Sequence, residues 1–418
     1  MTNGVKVGEA TRRFGTRGLS VWLGRVNEEY LNALKNWVTA SKVYKEMQDD
    51  AVIGTLLDAI KAPLLAAEFD VVPGGETPGD EDASAFLWDN MNGMTQQTWR
   101  SHVQDMLESI DFGFAIGEIV MEKRDDGKLW IGNLDPRGQE TLERWEFDEN
   151  ENVSAFIQRD PVNGDILTIP SKKMIRVTFR GRKGNPHGKP LLRSLYRIWK
   201  FLKNLENLEG IGIERDVGGT PVYTDPPSAF TSTADETEID KMLTGLRMDE
   251  QLYVRLPNGA TLAGYGGGSK LYDVGAVIER KKKEILMRMF AQFLMLGMEQ
   301  VGTQALVKGS QDFFSLGLIA IQQCLLEAWQ QQLVPFLFQF NTFPGMTGLP
   351  TITWSNPGTA DIQGLLDAYV KGVTARVLTP VEEDEDHFRG ALDLPDRPEG
   401  VGEGSREAPV APTFPGFG

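Results

Sequence analysis

The chain has one cysteine and three histidines in 418 residues. A single cysteine excludes a disulfide framework within the chain and fits a reducing compartment. Cys324 lies in the apolar run IAIQQCLLEAW, where a buried structural thiol is expected. His102, His187 and His387 are far apart and none has a ligand-spaced partner, so no zinc site and no metal cofactor is expected. Long apolar runs are also missing. The greasiest region, residues 285–298, is interrupted by Arg288 and Gln292, whereas a membrane span needs about 20 mostly apolar residues. The opening MTNGVKVGEATRRFGTRG lacks the apolar core of a secretory signal. No G-x-x-x-x-G-K-[ST] phosphate loop exists; GGGSK at 266–270 has the wrong spacing and reads as a hinge. Basic residues are outnumbered 43 to 59, a formal charge of −16. That balance argues against gripping nucleic acid with the whole surface, but leaves room for a local basic strip.

What is present reads as a soluble α+β chain. Residues 27–67 are helical in pattern with a break near Gln48-Asp49-Asp50, and residues 68–73 form a short strand. Two helices follow, DASAFLWDNMN and TQQTWRSHVQDMLESI, the second with Thr95 as its N-cap. FAIGEIVMEKR, DDGK and LWIGNL make a hairpin signature, VSAFIQRD and ILTIP repeat it, and MIRVTFRG adds a strand. Residues 191–213 then step through apolar positions at three- and four-residue spacing, a helix of about 35 Å. A small module with a short helix (234–246) and a strand (251–257) separates it from a second long helix, 274–296. A third helix spans 310–340, kinked by Pro335, and LPTITW returns as a strand. From Pro395 the composition of proline and glycine predicts disorder.

Two charge features call for an explanation. On the first long helix Arg193, Arg197 and Lys200 fall within about 60° of one another, opposite the apolar seam. On the second, Arg280-Lys281-Lys282-Lys283 reads as a solvated charge run or one bridging to the small module. Acidic clusters at Asp80-Glu81-Asp82 and Glu382 to Asp386 sit at apparent helix starts, where negative charge meets the helix dipole favourably. Metal-dependent cleavage would need converging carboxylates, and the capping explanation is the stronger one.

The order of elements resembles the portal proteins of tailed bacteriophages, the phage Mu-like group in particular. The most specific stretch is Gly188-Lys189-Pro190-Leu191-Leu192-Arg193 followed by Leu195-Tyr196 and Trp199-Lys200-Phe201. Leu134-Asp135-Pro136-Arg137 is similar to the family's turn between strands; Asp49-Asp50-Ala51-Val52 and Leu378-Thr379-Pro380 also fit. The similarity covers about residues 40–395.

The resemblance implies a portal fold and an architecture. Residues 1–190 would be an α+β wing, 191–215 the first stem helix, 216–271 a small clip, and 272–297 the second stem helix. Residues 298–309 would be a tunnel loop, 310–357 the long helix and wing strand, 358–397 a short helical crown, and 398–418 a disordered tail. It further implies a homo-oligomeric ring of about twelve subunits at one capsid vertex of the virion, assembled in the host bacterial cytoplasm. Double-stranded DNA would pass through it during packaging and ejection. Terminase large subunit, major capsid or scaffolding protein and a head–tail adaptor would be its partners, with no enzymatic role, no cofactor and no membrane. The tunnel loop would bring Met298, Gln300, Val301, Thr303, Gln304 and Leu306 to DNA, or else be an ordinary helix connection under the wing. The stripe of Arg193, Arg197 and Lys200 would face the channel or pair with acidic residues of the next subunit, the pairing being favoured. Another head–tail connector ring, or a metal-dependent nucleic-acid enzyme, is the alternative.

Overall fold

The computed structural model describes residues 15–218, 220–224, 237, 261–265, 273–288 and 304–355. The chain divides into two units, Met1–Ser355 and Asn356–Gly418, and every described residue belongs to the first. A small ribbon opens it, β1 (Val21–Trp22) against β2 (Arg25–Val26). Residues 27–36, expected to be helical, stay irregular apart from a 3-10 turn at Asn32–Leu34. Helix α1 (Trp37–Gln48) starts at Asn36, whose side chain accepts from the Thr39 N–H, and α2 (Ala51–Ala66) starts at Asp50, which caps Val52 and Ile53. The predicted break at 48–50 is therefore a capped helix boundary.

Strand β3 (Phe69–Val72) leads to α3 (Pro78–Asn92), four residues earlier than the apolar pattern suggests, because Thr77 and Asp80 form a capping box ahead of it. Helix α4 (Trp99–Phe112) is capped by Thr98 rather than Thr95, the Thr98 hydroxyl accepting from the Ser101 N–H. Then come β4 (Phe114–Lys123), β5 (Leu129–Arg137), β6 (Leu142–Phe147), β7 (Val153–Arg159), β8 (Ile166–Pro170) and β9 (Met174–Thr178). They form two antiparallel three-stranded sheets, β5-β4-β9 and β6-β7-β8. The Leu134 to Arg137 motif is not a turn but the end of edge strand β5, the kind of position where proline costs no ladder bond.

Helix α5 runs Leu191–Gly218, past the expected end at 213. Beyond it β10 (Thr220–Thr224) pairs antiparallel with β11 (Thr261–Tyr265), and the glycine-rich hinge expected at 266–270 lies outside the described residues. The predicted helix and strand at 234–246 and 251–257 lie outside the described residues, as does everything from 356 onward. Helix α6 (Val274–Met287) packs on α5. The long helix α7 (Gln304–Ala328) begins six residues before the predicted start. It continues through a π turn (Trp329–Leu333) into α8 (Val334–Phe340), with Pro335 in the first turn of α8 rather than at a kink of its own making. Strand β12 (Thr351–Trp354) returns to pair with β3, as its sequence indicates.

The alternation of β4 divides two cores. Ala115 and Ile119 face the main core with Ile175 and Val177, under α1, α2, α4, the start of α5 and α7. Phe114 and Ile116 face a smaller core between the sheets, with Trp145, Phe156 and Met174.

Candidate functional site

The most specific sequence motif is the socket of α5. Gly188 has φ +58°, and a Cβ there would sit 2.2 Å from the Gly113 carbonyl oxygen and 2.4 Å from that of Phe179. Only glycine meets both demands. Gly113, itself at φ +93°, ends α4, its carbonyl accepts from Phe179 N at 2.8 Å, and Lys189 N donates to the Phe179 carbonyl at 2.8 Å. The loop before α5 is thus stitched to the end of α4 and to β9. Pro190 precedes the helix, and Leu191, Leu192 and Leu195 are fully buried. Ser194 meets Arg288, just past α6, at 3.3 Å.

The basic stripe divides at this socket. Arg193 is paired within its own chain: its guanidinium grips the Glu29 carboxylate through two nitrogens, one at 2.7 Å, and stacks 4.8 Å from the Tyr30 ring. Burial opposes ionisation of Glu29, but Arg193 and the N–H groups of Leu31 and Tyr30 outweigh it and hold the carboxyl below its usual range. Lys200 is exposed and leans on Tyr196. Arg197 is exposed too. Beyond Leu202 the helix leaves the body of the fold: of residues 203–211 only Leu205 and Glu209 are shielded. Lys203 still reaches Glu46 of α1. Phe201, Leu208 and Ile211 are 45–58% exposed, and the Lys281 ammonium of α6 stands 5.8 Å from the Phe201 ring.

A cleft of about 860 Å³ opens beside the socket, between residues 24–44, β6, and the loop 180–190 with the first turns of α5. Its three carboxylates are all engaged: Glu28 with Lys183 at 3.4 Å, Glu29 with Arg193, and Glu143 with Arg25 and Arg159. Lys35, Arg182, Lys189 and Arg197 line it as well, all exposed. The sequence carries a signal for this feature: residues 180–189 contain four cations and no carboxylate.

Other ionisable groups have structural roles. Asp80 is fully buried; burial alone would raise its pKa, yet hydrogen bonds from Thr347 and Gly348 N–H groups and the Thr77 and Thr347 hydroxyls hold it far below the usual range. The acidic cluster there is a cap and a clasp on the loop after α8. Lys61 of α2 bridges Glu108 at 2.8 Å and Asp111 at 2.7 Å, joining α2 to α4. His102 is fully buried, its pKa pushed down to about 3, and accepts from the Trp329 indole at 3.1 Å. Cys324 is half-buried, not buried, and its thiol donates to the Thr178 carbonyl at 3.5 Å; burial raises its pKa. Among the described residues no cluster of His, Cys, Asp and Glu is arranged to hold a metal, and no helix is long and apolar enough to cross a membrane.

Of the tunnel-loop candidates, Met298, Gln300, Val301 and Thr303 lie outside the described residues, as does the second acidic cluster from Glu382. The backbone at Gln304 and Leu306 is already helical, in the first turns of α7.

This fold is found in particle necks. A chain from the neck of an empty gene transfer agent particle computed with C6 symmetry is 10% identical, with a TM-score of 0.56 over 86% of this chain and 94% of that one. A chain from the neck of the native particle computed with C12 symmetry is 10% identical, TM-score 0.55, over 85% and 93%. One from the virion of the native particle is 11% identical, TM-score 0.55, over 86% and 94%. At such identities the likeness is one of fold. The family described as the portal protein of Mu bacteriophage matches residues 41–394, and the chain belongs to that family of structural proteins.

Proposed function

We propose that the chain forms a closed ring of about twelve copies at one vertex of a phage capsid, and that double-stranded DNA enters and leaves through its hole. The family match over residues 41–394 carries this reading. A particle neck computed with C12 symmetry, built from a chain of the same fold, supports the copy number. In this reading α5 and α6 form the stem, and residues 216–271, including β10 and β11, form the clip that docks the terminase large subunit and later a head–tail adaptor. Residues 1–190 and 310–357 form the wing that faces major capsid or scaffolding protein. Residues 298–309 are the tunnel loop, 358–397 the crown and 398–418 the tail.

The role is a conduit, with assembly in the host cytoplasm before the ring joins the virion. Each neutralised phosphate adds binding through counterion release, so a strongly basic channel would hold DNA instead of passing it. Twelve chains of −16 carry −192 formal charges, a ring suited to passage. Electron microscopy of the purified protein tests the proposal. Rings of about a dozen subunits with a central hole are expected; monomers at every concentration, or magnesium-dependent DNA cleavage by the pure protein, would overturn it.

A further inference from the structure

The cleft at the root of α5 has more positive charge than its own chain satisfies. Lys35, Arg182, Lys189 and Arg197 line it, exposed, and no carboxylate of the described residues pairs with any of them. Every carboxylate in the cleft is already engaged by another cation. Taking these four charges from the total of −16 leaves −20 on the rest of the chain. The cleft is therefore a small cationic recess in a strongly acidic molecule.

Its shape narrows the choice of occupant. Leu34, Trp37 and Tyr44 contribute an apolar wall, Val38 is 51% exposed, and Tyr30 stands 77% exposed at the side. A nucleic-acid backbone presents phosphates on a stiff outer surface and has no apolar side chains to set against such a wall. A protein surface carries both carboxylates and apolar groups.

We infer that this cleft is the receiving half of a head-to-tail contact between copies of this chain, filled by a carboxylate-bearing surface of the next copy. The inference rests on the ring reading and adds to it a contact surface and a polarity. A basic recess on one copy and acidic surface on another are different patches, so their union is heterologous, and a heterologous contact that closes makes a ring. Arg197, the member of the basic stripe that projects here, belongs to the contact between copies. Arg193 serves only to hold the cleft's wall through Glu29.

The test is a charge reversal, Arg182→Glu with Lys189→Glu and Arg197→Glu, weighed by mass photometry across protein and salt concentration. Circular dichroism and thermal melting check folding; if the triple variant does not fold, Lys189→Glu alone replaces it. The wild type is expected to form rings that weaken with salt. The folded variant should need on the order of tenfold more protein to assemble, since several rim charge contacts are turned repulsive. It should also stop assembly when mixed with wild type, because it retains the acidic face but has no working recess. Carbodiimide coupling between isotopically heavy and light copies should join Lys35 or Lys189 to carboxylates of another copy. A wild type that forms no ring sinks the ring reading and this inference with it. Wild-type rings matched by variant rings of equal concentration and salt dependence, without such cross-links, sink the inference alone. So would variant rings that assemble normally but lose a DNA retention shown by the wild type, a result that would assign the recess to phosphate.

Discussion

At Gly188 a single hydrogen atom decides whether α5 can be seated. Gly188→Ala forces a left-handed φ on alanine and drives Cβ into two carbonyl oxygens, so a loss of about 2–4 kcal/mol in urea unfolding is expected. The motif around it was legible in sequence, but its reason was not, since Gly113 is remote along the chain. Arg193 shows the same limit more sharply. A helical wheel places it beside Arg197 and Lys200, while the partner that removes it from that stripe, Glu29, lies 164 residues away. Asp111 gives a pH signature. Burial pushes its carboxyl up to about 6 in spite of Lys61, above the ordinary value it regains on unfolding. The folded state then binds the extra proton, so this group favours folding below about pH 4 and loses that contribution as pH rises towards 6. Asp111→Asn should abolish this component: the stability of wild type relative to the variant, measured by urea unfolding, should be greater at pH 4 than at pH 7.

Among the elements, the π turn ties the most together. By widening one turn of the long helix it aims three nearby side chains at three neighbours. Trp329 reaches His102 of α4; Gln330 donates to the Pro350 carbonyl at 3.0 Å and accepts from Ile352 N at 3.3 Å; Gln332 bonds both N and O of Arg176 in β9. Gln332→Ala leaves that strand's peptide groups without their partners and should cost about 1–3 kcal/mol, measured by chemical unfolding. None of this could be read beforehand, because an inserted residue disturbs helical periodicity too little to be seen, and Pro335 offered a more obvious reason for a bend. The hairpin of β4 and β5 was legible because DDGK separates two apolar runs. Strand β6 was not: LERWEF carries no turn residues of its own, and only its ladder with β7 makes it a strand.

For the whole molecule, the strongest expectation concerns DNA. Val301→Lys, at a position outside the described residues, should leave rings intact by electron microscopy. If residues 298–309 are the tunnel loop proposed above, it should lower packaged DNA yield in an in vitro packaging assay, because about twelve added cations would make a sliding surface grip. Normal packaging by the variant would remove residues 298–309 from the channel. Bare ring chemistry is not all that the architecture delivers, however. Helix α5 is held by its first three turns, where Leu191, Leu192, Leu195, Trp199 and Leu202 are packed and Gly188 is pinned, and is largely bare from Lys203 to Ile211. Mechanically that is a cantilever, with α6 laid along it as a stiffener. A sideways load on its far end becomes a bending moment at the wall, around Trp199 and Leu202, and is handed through Arg193 and Glu29 to the segment that leads into α1. The place where such a beam yields is set by its root, far from wherever the load is applied.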